Sequence, residues 1–368
     1  MAKRHRILRT IVLFVVAAGV LEAGAYGVWR ALVPPKWTVQ KNNRLAPYAG
    51  VIDYSDVVKG RGARLGRMTV NKLGTRGREA ELANERGPGR LRVYCVGAST
   101  TFGWGASDDD ATYPAQLERC LKELLPNENV EVINGGIPGI GAHAQMRNLR
   151  EDLPRLKPDV VLWCGTPDWL SYLHEDPAKK SGGQTLTEAA AALMDAIQAR
   201  LENTSAFRLG VYLRDSEIPR PDPPSEEELA RRPGVGEYNT ESLERFRTDL
   251  AALIELCKRE GAMTIVAGIA TPLRHPPAEL SPAARRQSAS RLAGYQTATR
   301  EDLHHAISAM EDTIAAVAKN AGVIYADPGQ LPDDAELFID GFHMNDDGYA
   351  ALAKSMAPIV TSCLKAPQ

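Results

Sequence analysis

Five short apolar runs alternate along the chain with longer stretches whose apolar residues recur at helical spacing. The runs are Leu91–Gly97, Val130–Asn134, Val160–Gly165, Met263–Ala270 and Gly322–Ala326. Each is nearly continuous in apolar residues, the pattern of a strand buried on both faces. Strands alternating with helices in this way predict an α/β fold, a five-stranded parallel sheet between helical layers. The helical stretches fall at Tyr113–Leu125, about 144–153, 186–202, 242–260, 287–320 and 347–364. Pro114 sits in the first turn of its stretch, where its missing amide costs nothing. Residues 214–236 are rich in proline and charge and predict an exposed excursion. In a sheet of this class, functional groups collect at the carboxyl ends of the strands.

The rest of the chain divides around this core. Residues 1–35 form an N-terminal apolar segment, 36–90 a polar lead-in without sustained period that packs irregularly, and 91–368 the α/β domain. Lys3-Arg4-His5-Arg6 and Arg9 precede an apolar run from Ile11 to Leu21. Basic residues ahead of such a run mark a segment read by the export machinery, with the basic end kept in the cytoplasm. Two outcomes fit. The run extends to Trp29 as a retained anchor helix in the lipid bilayer, or the chain is cleaved near Ala25 and secreted. Either places the remainder outside the cytoplasm, periplasmic or extracellular.

Charge and cysteine content exclude several classes. The formal net charge is −2, and the one basic cluster is at the N-terminus, so no nucleic-acid partner is expected. Cys95, Cys120, Cys164, Cys257 and Cys363 show no metal-ligand spacing. They read as small buried hydrophobes, without a disulfide framework. His304-His305 lack a spaced acidic partner. No metal and no cofactor are expected.

Two local patterns carry chemistry. The first run ends in Gly97-Ala98-Ser99-Thr100-Thr101-Phe102-Gly103, which presents a serine hydroxyl at the sheet's functional edge. By itself such a serine is equally compatible with a helix cap. The second pattern is Asp340-Gly341-Phe342-His343. An Asp three residues before a His in one loop can turn its carboxylate onto the imidazole and fix its tautomer. The other ring nitrogen is then free to take a serine proton. Together the two patterns predict a Ser99, His343, Asp340 triad.

At this point the sequence resembles the SGNH, or GDSL-type, serine hydrolases over about residues 90–365. Four blocks stand in the family's order: Gly97-Ala98-Ser99-Thr100, Asn134-Gly135-Gly136-Ile137-Pro138-Gly139, Gly165-Thr166-Pro167-Asp168, and Asp340 to His343. The phrases Ser99-Thr100-Thr101-Phe102-Gly103-Trp104-Gly105 and Asn71-Lys72-Leu73-Gly74-Thr75-Arg76-Gly77 look like an exported, membrane-anchored branch. The resemblance implies the family's flavodoxin-like three-layer sandwich. It also implies Ser99 as nucleophile, His343 as general base and Asp340 as its orienting partner. The oxyanion would be met by the Ser99 and Gly139 backbone N–H groups. Ala98 replaces an Asp of the first block, a minor change. Pro167 replaces the asparagine that supplies the family's third oxyanion donor, and proline offers neither side-chain nor backbone donor. Losing one such donor typically costs about 10²–10³ in rate. The Thr166 hydroxyl is one substitute and His143 another.

The resemblance thus implies an extracytoplasmic esterase acting on small-molecule or carbohydrate esters, O-acetyl groups among them, through an acyl-serine intermediate. Transfer of the acyl group to an envelope polysaccharide by the same triad is an alternative, and a non-catalytic carbohydrate-binding scaffold is another. Trp104, His143 and Asp168 are candidate substrate contacts. Each has a plainer reading: Trp104 and the neighbouring Trp163 and Trp169 as packing residues, His143 as a loop residue, Asp168 as a brace of its loop.

Overall fold

The computed structural model describes residues 19–24, 26–28, 40–41, 44–45, 50–53, 67–70, 76–78, 89–138, 140–165, 172–173 and 222–365. The chain divides into two compact units. One comprises Met1–Lys41 with Pro177–Arg220 and is helical at residues 19–24 and 26–28, with strand β1 at Gln40–Lys41. Most of the expected apolar segment lies outside the described residues, as does the stretch 186–202. No helix among the described residues is long and apolar enough to cross a membrane.

The other unit, Asn42–Asp176 with Pro221–Gln368, holds the sheet. Its first strands are short: β2 (Arg44–Leu45), β3 (Gly50–Asp53) and β4 (Arg67–Val70). β3 and β4 pair antiparallel, Gly50 opposite Val70, so the lead-in predicted to be irregular contains a β-pair. The main strands are β5 (Arg90–Gly97), β6 (Asn129–Gly136), β7 (Val160–Cys164), β8 (Met263–Ala267) and β9 (Ile324–Ala326). They form one sheet in the order β6-β5-β7-β8-β9, every pairing parallel. All five predicted strands are present, and the order is that of a flavodoxin-like sheet.

Both faces are covered, which is why the runs are apolar throughout. Tyr94, Val96, Ile133, Val161, Trp163 and Val266 face one helical layer. That layer contains α3 (Ala142–Leu156), α5 (Thr240–Arg259), α6 (Pro282–Leu292) and α7 (Arg300–Ala321). Val93, Cys95, Val132, Leu162 and Ile265 face the other. There α2 (Tyr113–Leu124) and α8 (Asp346–Lys365) bury Leu117, Leu121, Leu352 and Met356. Trp163 is wholly buried and donates to Gln145 at 2.8 Å, so it belongs to the core. The thiols of Cys164 and Cys257 are buried, which pushes both up to about 12. They are inert at neutral pH.

Two segments differ from expectation. The continuous helix expected over 287–320 is two helices, broken at 293–299. Thr299 starts α7 with a capping box: its hydroxyl accepts from the Asp302 amide at 3.2 Å, and the Asp302 carboxylate accepts from the Thr299 amide at 2.7 Å. The proline-rich excursion is docked over its described part. Helix α4 (Glu226–Arg231) buries Leu229, Glu226 takes Arg300 bidentately at 2.5 and 2.7 Å, and the Val235 amide donates to Asp302 at 3.1 Å. Proline content signals a poor helix or strand former, and says nothing about whether a loop is tied down by ion pairs.

Candidate active site

The strand order reverses between β5 and β7, and in open parallel sheets the crevice at such a reversal is where ligands bind. β5 ends there at Gly97, level with Cys164 at the end of β7. The chain turns at once into the single-turn helix α1 (Ser99–Phe102). Gly97 makes the turn possible. A Cβ on it would lie 2.1 Å from Thr101 Oγ1 and 2.4 Å from the Cys164 carbonyl oxygen. Ser99 is therefore carried to the crevice by the backbone, as its place after a buried strand predicts.

Behind α1 stands Arg76, whose side chain is 1% exposed. Its guanidinium donates to the carbonyls of Phe102 (2.9 Å), Gly103 (2.8 Å) and Asp108 (3.0 Å) and to the Asp109 carboxylate (2.8 Å). Its backbone amide donates to the Asn134 carbonyl at 3.1 Å, which fastens it to the edge strand β6. One buried cation thus holds the segment that follows Ser99.

The histidine arrives on a tight loop between a 3₁₀ turn at Ala335–Leu337 and α8. Phe338 bridges Met344, and the Ile339 amide donates to the His343 carbonyl at 2.8 Å, so 339–343 closes on itself. Gly341 sits at the tip with φ +87°, a left-handed conformation that favours glycine. Asp340 Oδ1 accepts from the amides of Phe342 (3.3 Å) and His343 (3.0 Å). Its Oδ2 then meets His343 Nδ1 at 2.8 Å, the turn that the three-residue spacing predicts. Thr100 Oγ1 donates to the Phe342 carbonyl at 3.3 Å and Ser107 N to Asp346 at 2.8 Å, joining the serine and histidine segments. The result is a continuous chain: Ser99 Oγ lies 2.7 Å from His343 Nε2.

The electrostatics match this geometry. Burial would raise Asp340, but the hydrogen bond from His343, the charges of His343 and Arg291 and the His343 amide outweigh it. They hold its carboxyl far below the usual carboxylate range, so it is ionised at any working pH. A carboxylate is acceptor-only, so Nδ1 carries the imidazole proton and Nε2 is left to accept from the serine hydroxyl.

Arg291 was not anticipated. It reaches from α6 to Asp340 Oδ1 at 2.5 Å and to the Asp340 carbonyl at 3.0 Å. The other candidates are placed as follows. Trp104 is half-buried, its ring centroid 6.3 Å from that of His343, so it walls the triad. His143 begins α3 with its side chain 70% exposed and meets Asp249 at 3.1 Å, so its described partner is a surface carboxylate and not a triad member. Gly139, Thr166, Pro167, Asp168 and Trp169 lie outside the described residues.

No curated protein matches the chain in sequence. Among solved structures, TesA is 14% identical with a TM-score of 0.42, covering 74% of this chain and 99% of its own. An acetyl xylan esterase, AlAXEase, is 15% identical with a TM-score of 0.41, covering 73% and 100%. The aryl esterase of M. smegmatis is 14% identical with a TM-score of 0.41, covering 74% and 99%. Residues 95–239, which include Ser99, match the sequence model of the GDSL-like lipase/acylhydrolase family. With the Ser99, His343 and Asp340 side chains joined at the sheet's carboxyl edge, that match supports an ester-hydrolysing serine hydrolase similar to this family.

Proposed function

We propose that the protein cleaves carboxylic esters outside the cytoplasm through an acyl-serine intermediate, with O-acetylated carbohydrate as its substrate class. The observation that carries the mechanism is the unbroken hydrogen-bond chain from Ser99 Oγ through His343 to Asp340, at 2.7 and 2.8 Å. His343 Nε2 takes the Ser99 proton as Oγ attacks the ester carbonyl. The same nitrogen returns the proton to the departing alkoxide, leaving the acyl group on Ser99. Water then attacks the acyl-serine with His343 again as base, and the imidazolium returns the proton to Ser99 Oγ as the bond to the acyl group breaks and the acid leaves. Asp340 stays ionised throughout and steadies the imidazolium that forms twice in the cycle. The developing oxyanion is met by the Ser99 amide at the start of α1, with Gly139 and Thr166 as the further donors.

The location rests on the basic residues at positions 3–9 and the apolar run that follows. Val20 and Leu21 at the end of that run and Tyr26 just beyond it are exposed, which suits contact with lipid.

Full-length protein and its Ser99→Ala variant, each assayed on p-nitrophenyl acetate and butyrate and on acetylated polysaccharide, test this reading. Turnover confined to the protein with Ser99, and higher on the acetyl esters, is the expected result. Equal rates in both proteins on every substrate would sink it. For the location, full-length protein carrying a C-terminal tag should sediment with membranes and lose the tag to protease added outside spheroplasts. Retention of the tag would refute export.

A further inference from the structure

We infer that Arg291 is a positioning residue of the triad, fixing the Asp340 carboxylate from α6 and placing a compensating positive charge beside His343. This rests on the reading of His343 as the general base.

Asp340 presents two carboxylate oxygens, and only one can face the histidine. Arg291 Nη2 occupies Oδ1 at 2.5 Å, while Oδ2 meets Nδ1 at 2.8 Å. Arg291 Nε also donates to the Asp340 carbonyl at 3.0 Å, so one planar guanidinium grips both ends of the same residue. Its carbon lies 5.1 Å from the centroid of the Phe342 ring, within cation–π range. The loop is thus held at Asp340 and Phe342, the two residues that flank its glycine tip. A surface ion pair of this type contributes little. Here the side chains are only 19% and 9% exposed, and three separate contacts come from one group.

The electrostatic consequence follows from a third distance. Arg291 Nη2 lies 3.3 Å from His343 Nδ1. With a proton on Nδ1 there is no acceptor there for a second donor, so this approach is a contact of charge with ring. The groups facing the imidazole among the described residues are Asp340 on its own loop, Arg291 on α6, the Ser99 hydroxyl on α1 and the Trp104 ring. Only the first two are charged. Asp340 favours the imidazolium and Arg291 opposes it. Arg291 thus offsets, beside the ring, part of the negative charge that Asp340 brings to it.

The test follows the His343 imidazole titration by NMR, assigned with His343→Gln, in the full chain carrying Arg291, Arg291→Met, Arg291→Gln or Arg291→Lys. Thermal melts are recorded alongside. The neutral variants should raise the midpoint. Arg291→Lys, which keeps the charge and loses the fork, should stay near the wild-type midpoint. In turnover, the acid limb of kcat/KM should move upward in the neutral variants with the midpoint. In the lysine variant kcat should fall by up to about 10²-fold through misplacement of the carboxylate. Two neutral variants are included so that one folding failure leaves the other. An unchanged midpoint in a folded neutral variant overturns the inference, as does an equal rise in Arg291→Lys. The titration needs no turnover, so a failed esterase assay would count against the proposed function and leave this result legible.

Discussion

Replacing His343 with alanine is expected to lower kcat for ester hydrolysis by about 10⁶, and adding Ser99→Ala to that variant is expected to remove nothing more. The reason is that the two side chains act as one device. The serine hydroxyl is a weak nucleophile until its proton has somewhere to go, and the acceptor is the Nε2 atom 2.7 Å away. Removing the base leaves a hydroxyl that cannot be activated, and removing the hydroxyl leaves a base with nothing to activate. Either loss forfeits the same stabilisation, roughly 8 kcal/mol at 1.36 kcal/mol per tenfold. Asp340→Asn should do less damage, about 10⁴, because the imidazole remains but its tautomer is no longer imposed. Initial rates for the two single variants and the double variant, with circular dichroism to confirm folding, check this. Multiplying losses in the double variant would show that Ser99 and His343 act independently and would contradict the triad.

The second large effect is on stability. Arg76→Ala is expected to destabilise the α/β unit by about 3 kcal/mol, the low end for breaking a buried ion pair. The low end applies because Asp109 is 23% exposed at its side chain and recovers some solvation. Three carbonyls, those of Phe102, Gly103 and Asp108, lose the guanidinium at the same time. For a unit of this size, about 3 kcal/mol corresponds to a fall in Tm of roughly 5 °C. Arg76→Lys should recover little, since one ammonium cannot reproduce a fork that reaches four oxygens. Activity should fall beyond what stability explains, because the held segment follows directly on Ser99. A thermal melt of the variant within about 2 °C of the wild type, within the scatter expected of a neutral surface change, would show that this network holds nothing.

These two effects also mark what could be read from the sequence and what could not. Ser99 was legible because its signal is local: a buried strand, a glycine and a hydroxyl in succession. Asp340 and His343 were legible because an Asp three residues before a His can turn its carboxylate onto the ring, a pattern that becomes specific beside the serine. Arg291 and Arg76 gave no such signal. Arg291 meets Asp340 across 49 residues and Arg76 meets Phe102 across 26, and an arginine in a polar stretch looks like any solvated arginine. Even Arg76, quoted within the upstream Asn71–Gly77 phrase, carried no hint that it would be buried. The break between α6 and α7 was missed although Thr299-Arg300-Glu301-Asp302 bears the spacing of a capping box, because apolar residues continue in helical register across it. The sheet was the easier part. Strands buried on both faces have no choice but to be apolar throughout, and all five runs became strands. His143, proposed on chemistry alone, has the Asp249 carboxylate 3.1 Å from its ring, a partner 106 residues away that no local pattern signals.

The central claim is that Ser99 is a nucleophile activated by His343. It is tested most directly by incubating the protein with diethyl p-nitrophenyl phosphate and measuring intact mass and peptide masses. Attack by Ser99 Oγ on phosphorus expels p-nitrophenolate and leaves one diethylphosphoryl group on the chain. One group per molecule on the peptide containing Ser99, with none in His343→Ala, is the predicted result. Label on another residue, or equal labelling of the Ser99→Ala variant, would contradict it.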